Sequence, residues 1–131
     1  MKTIKFREFK TSSKKIVLGG KSAENNEELI KQVQGEEIVL HTAKPGSPFV
    51  NIKSEKENKK STKKEIKESA IFCAKYSQDW KKNHGDVKVH IFRGKDIFKN
   101  KDMKPGTFGV KKFKEINVKK KDILNFEEKH G

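Results

Sequence analysis

Arginine is nearly missing from this chain. Of 32 basic residues only Arg7 and Arg93 are arginines, so the net charge of +14, left after 18 acidic residues, is carried by lysine. Arginine's planar fork dominates bidentate reading of base edges, whereas lysine is a point charge that suits phosphate. The scarcity counts against base-specific readout. The excess of lysine argues for a polyanion held by its backbone, or for a salt-adapted or AT-rich genome that substitutes lysine throughout. Cysteine is as scarce: Cys73 stands alone, which excludes an internal disulfide and points to a reducing, cytoplasmic setting. No apolar run approaches the roughly 20 residues of a membrane span, and no signal-peptide core follows the N-terminus. A soluble intracellular protein with no membrane partner is expected.

Apolar residues are also few, at 31% against 38% charged, with a mean hydropathy of −0.95. Such a composition leans toward disorder. Periodic apolar segments nevertheless run through most of the 131 residues, enough for one domain with a small core wrapped in lysine.

Groupings that would carry catalysis are missing too. His41, His84, His90 and His130 share no metal-ligand spacing with each other or with Cys73. Ser47 lacks a nucleophile elbow. Gly20-Lys21-Ser22 resembles a phosphate-binding loop, but Lys15 stands where that loop needs its first glycine. The carboxylates are scattered among lysines as solvated pairs. Cys73 falls on the apolar face of a helix with no nearby activating partner, and Trp80 reads as core. The expectation is a protein with no catalytic residues, metal or cofactor, and an enzyme using Cys73 is a third-ranked alternative.

What is present centres on Glu37 to Lys53. Ile38, Val39 and Leu40 form one strand, and Phe49, Val50 and Ile52 resume the pattern after Pro45-Gly46, a pair that fits a type II turn. Such a turn is either a plain hairpin connection or a nest of backbone amides that, with Lys44 and Ser47, holds a phosphate. Thr3 to Lys10 and Lys14 to Leu18 read as a preceding hairpin. Asn25 with Glu28 predicts a helix over Asn26 to Gln34, ended by Gly35. Residues 54 to 65 read as a loop. Thr62 and Glu65 form a capping box for a long helix over Lys63 to Lys82. Strict alternation over Asp86 to Arg93 predicts a strand that Asp96 to Phe98 continues. Met103 to Val110 then repeats the Lys-Pro-Gly turn as Lys104, Pro105 and Gly106, leading to a last hairpin over Thr107 to Phe113 and Glu115 to Val118. The sum is an α+β fold, a largely antiparallel sheet of four to seven strands packed with two helices. Residues 1–119 would form the domain and 120–131 a charged tail in which Ile123, Leu124 and Phe126 can dock.

The runs GGKSAENNEEL, EIVLHTAKPGSPFVNIK, ESAIFCAKYSQDW and KPGTFGVKK with EINVKK, in this order, resemble the NFACT-R domain. That is the RNA-binding domain at the end of RqcH-type ribosome quality-control factors and of fibronectin-binding-like proteins, also found as a stand-alone protein. The resemblance covers roughly residues 4 to 119. Glu37, His41, Pro45, Gly46, Ser47 and Lys53 match the family's central pattern. Asn26 matches the asparagine that opens the first helix, and Lys104, Pro105 and Gly106 match the late turn. Pro48 departs from the pattern, replacing a second histidine, and Val39 or Leu40 stands where an aromatic is usual. The remaining domains of the full-length factors have no counterpart here, so peptide tailing is not implied.

Charge and resemblance together predict a non-catalytic module that contacts the phosphate backbone of structured RNA, tRNA or rRNA, in translation or ribosome-associated quality control. Lys44, Gly46 and Ser47 would cradle one phosphate and Lys104 with Gly106 another. His41, Lys53, Arg93 and Lys99 would extend the basic face. His41 either bonds a 2′-hydroxyl, favouring RNA, or satisfies a buried carbonyl. The alternatives are a ribosome-associated adaptor that binds a protein and a general binder of nucleic acid, DNA included.

Overall fold

A computed structural model describes residues 5–54 and 60–130. Thr3 and Ile4 of the expected first strand and residues 55–59 of the expected loop lie outside the described residues.

β1 (Arg7–Lys10) and β2 (Ile16–Gly19) form the expected hairpin, with Arg7 opposite Gly19 and Lys10 opposite Ile16. β3 (Ile38–Thr42) and β4 (Val50–Ile52) form the central one, with Leu40 opposite Val50. β5 (Val87–Arg93) pairs with β3 along its length, bringing His90 opposite His41. The next segments differ from expectation. β6 (Ile97–Phe98) does not continue β5. A short 3-10 turn at Gly94–Asp96 redirects the chain, and β6 pairs with β7 (Gly109–Val110) in a separate two-stranded sheet. β8 (Lys114–Val118) then pairs with β5 rather than with the segment before it. The main sheet has six strands in the order β1-β2-β4-β3-β5-β8, every pair antiparallel.

α1 (Ala23–Gln32) starts earlier than predicted. Ser22 is the N-cap, its hydroxyl accepting the Asn25 N–H at 3.1 Å, while the Asn25 side chain accepts from Lys21 N–H. Asn26 therefore lies inside the first turn. There its Oδ1 accepts the Phe49 N–H at 3.1 Å and seats so close to Gly20 that a Cβ on Gly20 would lie 1.8 Å from it. The helix ends at Val33, not Gly35.

The single long helix expected from Lys63 to Lys82 is two. α2 (Lys63–Lys75) has the predicted Thr62–Glu65 capping box, worth about 1 kcal/mol. Ser77 breaks it. Its hydroxyl donates to the Ala74 carbonyl at 2.6 Å and accepts from Trp80 N–H, capping α3 (Gln78–Asn83). A hydroxyl that can bond its own backbone competes with the helix ladder. His84, in the left-handed region at φ 51°, ends α3. Residues 120–130 form α4 (Lys120–His130), with Ile123 and Phe126 buried and Leu124 exposed.

The pleat sends alternate residues to two covered faces. Leu40, Val50, Ile52, Val87 and Val89 meet Phe72, Cys73, Trp80, Ile123 and Phe126 from α2, α3 and α4. On the other face Val39, Phe49 and Phe92 meet Leu29 of α1, with Ile97, Phe108 and Val110 around the small β-hairpin. Phe92 stands on the side of β5 opposite Val87 and Val89 yet is only 4% exposed, because this second layer covers it. The architecture is α+β in three layers: helices, sheet, and α1 with β6 and β7.

Candidate nucleic-acid interface

The second layer leaves part of the sheet open. A cleft of about 630 Å³ lies between the turn at Pro45-Gly46, the turn at Pro105-Gly106 and the start of α1. Gly46 has φ 85° and Gly106 φ 80°, so each turn places glycine where only glycine is unstrained. The two echoing sequence motifs thus converge on one cavity.

The turns are locked by different contacts. At the first, the Gly46 carbonyl accepts Gln78 N–H at 2.7 Å, and the Thr42 hydroxyl donates to the Lys44 carbonyl at 2.7 Å. The Ser47 hydroxyl accepts from Thr42 N–H and donates to the Pro48 carbonyl, so it holds the turn from within and is only 9% exposed. At the second, Thr107 N–H closes the turn onto the Lys104 carbonyl at 3.0 Å, and Gly106 N–H donates to Glu27 at 2.7 Å. Lys99 secures this corner by donating to Glu27 at 2.6 Å and to the Lys104 and Thr107 carbonyls, with its ammonium 4.5 Å from the Phe108 ring centre. The Lys99 hydrogen bond, with a smaller share from Gly106 N–H, overcomes burial to hold Glu27 below the ordinary carboxylate range.

The predicted site residues therefore separate into groups. His41, Gly46, Ser47 and Gly106 line the cleft. Lys44 and Lys104 flank it on the turns; Lys44 lies 3.7 Å from Asp79 but remains well exposed, and among the described residues Lys104 has no carboxylate partner. Lys99 lies under the second turn, engaged internally. Lys53 and Arg93 do not line the cleft. Lys53 is bound to Glu37 and Gln32 at 2.8 Å each, and Arg93 pairs with Glu36 at 3.0 Å.

His41 packs on Phe49, ring centres 4.5 Å apart, and its Nδ1 meets the Thr42 carbonyl at 2.7 Å. A carbonyl only accepts, so Nδ1 carries the proton and Nε2 is left as an acceptor. Burial keeps this imidazole below its ordinary value despite the Thr42 bond, which favours the neutral form.

Several cleft residues were not singled out from sequence. Arg7 lies 4.0 Å over the Tyr76 ring and donates to the Gly20 carbonyl. Lys21, in the Gly20-Lys21-Ser22 run weighed and rejected as a phosphate-binding loop, and Lys81 line the rim with no carboxylate partner among the described residues. Phe108 meets Phe49 edge-on, and Phe113 stacks on His90. The signal for Phe113 was local: a phenylalanine interleaved with lysines in KKFK, residues 111 to 114. Arg7 and Tyr76 carried none, since the approach of β1 to the end of α2 is set by the fold. The start of α1 faces the same cleft with the positive end of its dipole; Ser22 already accepts the Asn25 N–H there, and Glu24 in the first turn offsets part of the field.

Cys73 lies outside the cleft, fully buried. Burial pushes its thiol up to about 12, and its sulfur lies within the apolar core, 3.8 Å from the Ser47 hydroxyl and 3.7 Å from the Pro48 carbonyl. Among the described residues no group of three or more His, Cys, Asp or Glu is placed to hold a metal ion, and no helix is long and apolar enough to cross a membrane.

The chain is thus a lysine-rich α+β domain with a glycine-cornered cleft lined by aromatic side chains. The family follows from comparison. Residues 5–112 match the model of the NFACT protein RNA binding domain, and the chain belongs to that family. It is 29% identical over 101 residues to the archaeal Rqc2 homolog aRqcH of Methanocaldococcus jannaschii, a match that covers 73% of this chain and 15% of that protein. The fold resembles the C-terminal part of the fibronectin/fibrinogen-binding protein of Streptococcus suis, with a TM-score of 0.79 at 21% identity, over 95% of this chain and 50% of the other. The chain thus spans a small part of the curated relative and half of the structural one.

Proposed function

We propose that the cleft binds the sugar–phosphate backbone of structured RNA, tRNA or rRNA, and that the domain serves a cytoplasmic, ribosome-associated quality-control task without catalysis of its own. One observation carries this reading. Both Lys-Pro-Gly turns and the first turn of α1 converge on a single cavity whose rim lysines, Lys21 and Lys81, have no carboxylate partner among the described residues, nor has Lys104 beside it on the second turn. Backbone amides at a helix start and at glycine turns are anion sites, and lysine adds point charge without base specificity. Family membership and the ribosome-quality-control relative point the same way. Lys44, Gly46 and Ser47 shape the first phosphate position, and Lys104 with Gly106 the second. His41 Nε2 accepts from a 2′-hydroxyl, a contact that DNA lacks. Lys53, Arg93 and Lys99 act through the fold instead.

The test is fluorescence anisotropy of labelled tRNA across a salt series, with duplex DNA of equal charge as competitor. The reading predicts saturable binding, preference for RNA, and a log–log salt slope of about −0.7 to −0.9 per phosphate contact. Equal competition by DNA would make the protein a general nucleic-acid binder. Binding absent at every salt concentration would favour a protein-binding adaptor.

A further inference from the structure

Phe113 is the most exposed large apolar side chain among the described residues, at 52%, yet it is held in place. Its ring stacks on His90 with centres 4.0 Å apart and planes 21° from parallel. His90 is itself anchored, its Nε2 2.9 Å from Glu115 across the β5–β8 pair. The Lys111 N–H, two residues earlier, donates to the Asp96 carbonyl at 2.8 Å and fixes the approach to the loop. One face of the Phe113 ring is thus covered by imidazole, and the half-exposed side chain lines the cleft together with Phe108 and His41. Lys111, Lys112 and Lys114 flank it, all exposed. Packing does not account for this arrangement, since Phe113 belongs to neither apolar cluster.

We infer that Phe113 is a stacking platform for one unpaired nucleobase of the bound RNA, turned into the cleft while the neighbouring phosphates lie along Lys111, Lys112 and Lys114. An aromatic face held rigid and bordered by cations is the chemistry that takes a single-stranded base, because every base offers a π-face and each flanking phosphate a charge. The cleft volume of about 630 Å³ falls within the range that holds a ligand of nucleotide size. A duplex keeps its bases stacked and cannot offer one. The recognised element is therefore an unpaired position, such as a loop, bulge or strand end of a structured RNA. This inference rests on the RNA-binding reading above and adds the base to the backbone.

The experiment uses the full chain, a short single-stranded RNA with 2-aminopurine at a central position, and the same strand annealed to its complement. Anisotropy reports binding, and 2-aminopurine emission reports stacking. The wild type should bind the single strand more tightly than the duplex and change the probe's emission on binding. Phe113→Leu, which keeps an apolar side chain at a half-exposed site, should weaken single-strand binding about five- to a hundred-fold. The loss should be larger for the single strand than for the duplex and the emission change should disappear, while Phe113→Trp restores single-strand affinity and the emission change. Single-strand binding with an unaltered emission, or equal affinity in Phe113→Leu, would overturn the platform and leave backbone binding standing. No saturable binding of either RNA would overturn the backbone reading as well, and Phe113 would become a candidate contact for a protein.

Discussion

Replacing Lys53 with alanine tests whether a lysine on a basic protein serves the partner or the fold. Lys53 matches its family's pattern, yet its ammonium is 2.8 Å from Glu37, whose side chain is 2% exposed. Burial pushes the Glu37 carboxyl up, but the Gln34 N–H, Lys53 and the Ser54 N–H together hold it below the ordinary carboxylate range. Removing one partner of a buried ion pair costs about 3–5 kcal/mol. Glu37 keeps its bonds to the Gln34 and Ser54 amides, and Lys53 is about a quarter exposed, so a loss of about 2–3 kcal/mol is expected. At about 2.1 cal/mol/K of unfolding entropy per residue, a 131-residue domain should then melt about 7–11 °C lower. Thermal and urea unfolding give the number, and Glu37→Gln with Lys53→Ala closes the double-mutant cycle. The pH dependence has a definite sign. Because the folded carboxyl is held low, its stabilisation is present above the unfolded value of 4.5 and is lost as pH falls through the folded value. Lys53→Ala should flatten that acid limb. A variant within about 0.5 kcal/mol of wild type that had lost RNA binding would refute the argument and return Lys53 to the interface.

The two turn glycines should differ. A Cβ at Gly106 would lie 2.7 Å from the Ala23 backbone at φ 80°, so Gly106→Ala should cost about 3 kcal/mol or more; one at Gly46 meets the movable Gln78 side chain, and Gly46→Ala should cost about 1–2 kcal/mol by urea titration. Cys73 should resist alkylation by a thiol reagent until the protein unfolds, whereas reaction at the folded-state rate of a free thiol would contradict its burial. His41 is held below its ordinary value by burial, so protonation favours the unfolded chain. Its contribution is complete above the unfolded value of 6.5 and is lost as pH falls through the folded value, and His41→Gln should remove this component from urea midpoints measured across that range.

Local patterns carried the elements whose causes are local. Alternation exposed β5, Thr62 and Glu65 exposed the start of α2, and Pro-Gly exposed both turns. Boundaries moved where one short polar side chain outcompeted another: Ser22 caps α1 in place of Asn25, and Ser77 divides the expected long helix. Pairing across distance was not legible. Nothing in Ile97-Phe98 announces Gly109-Val110 as its partner, nor Lys114 to Val118 as the neighbour of β5. The same limit governs the site. The motif residues His41, Gly46, Ser47 and Gly106 do meet in one cleft, but neutralisation of Lys53, Arg93 and Lys99 depends on Glu37, Glu36 and Glu27, which lie 16, 57 and 72 residues away in sequence. A lysine's sequence neighbours do not reveal which carboxylate it meets.

The central claim, that RNA binds at the cleft between the two turns, is tested most directly by moving the same charge change around the molecule. Lys21→Glu with Lys104→Glu alters the cleft rim. Lys63→Glu with Lys67→Glu alters the start of α2, at the far end of the sheet where Glu65 and Glu68 bond the β1–β2 turn. Each pair removes four units of charge, taking the net from +14 to +10. Affinity for tRNA at fixed salt should fall about ten-fold or more in the rim variant and change little in the other, with the salt slope reduced by roughly two contacts only in the first. Equal losses in both would mean that RNA responds to total charge, and the cleft would lose its claim to be the site.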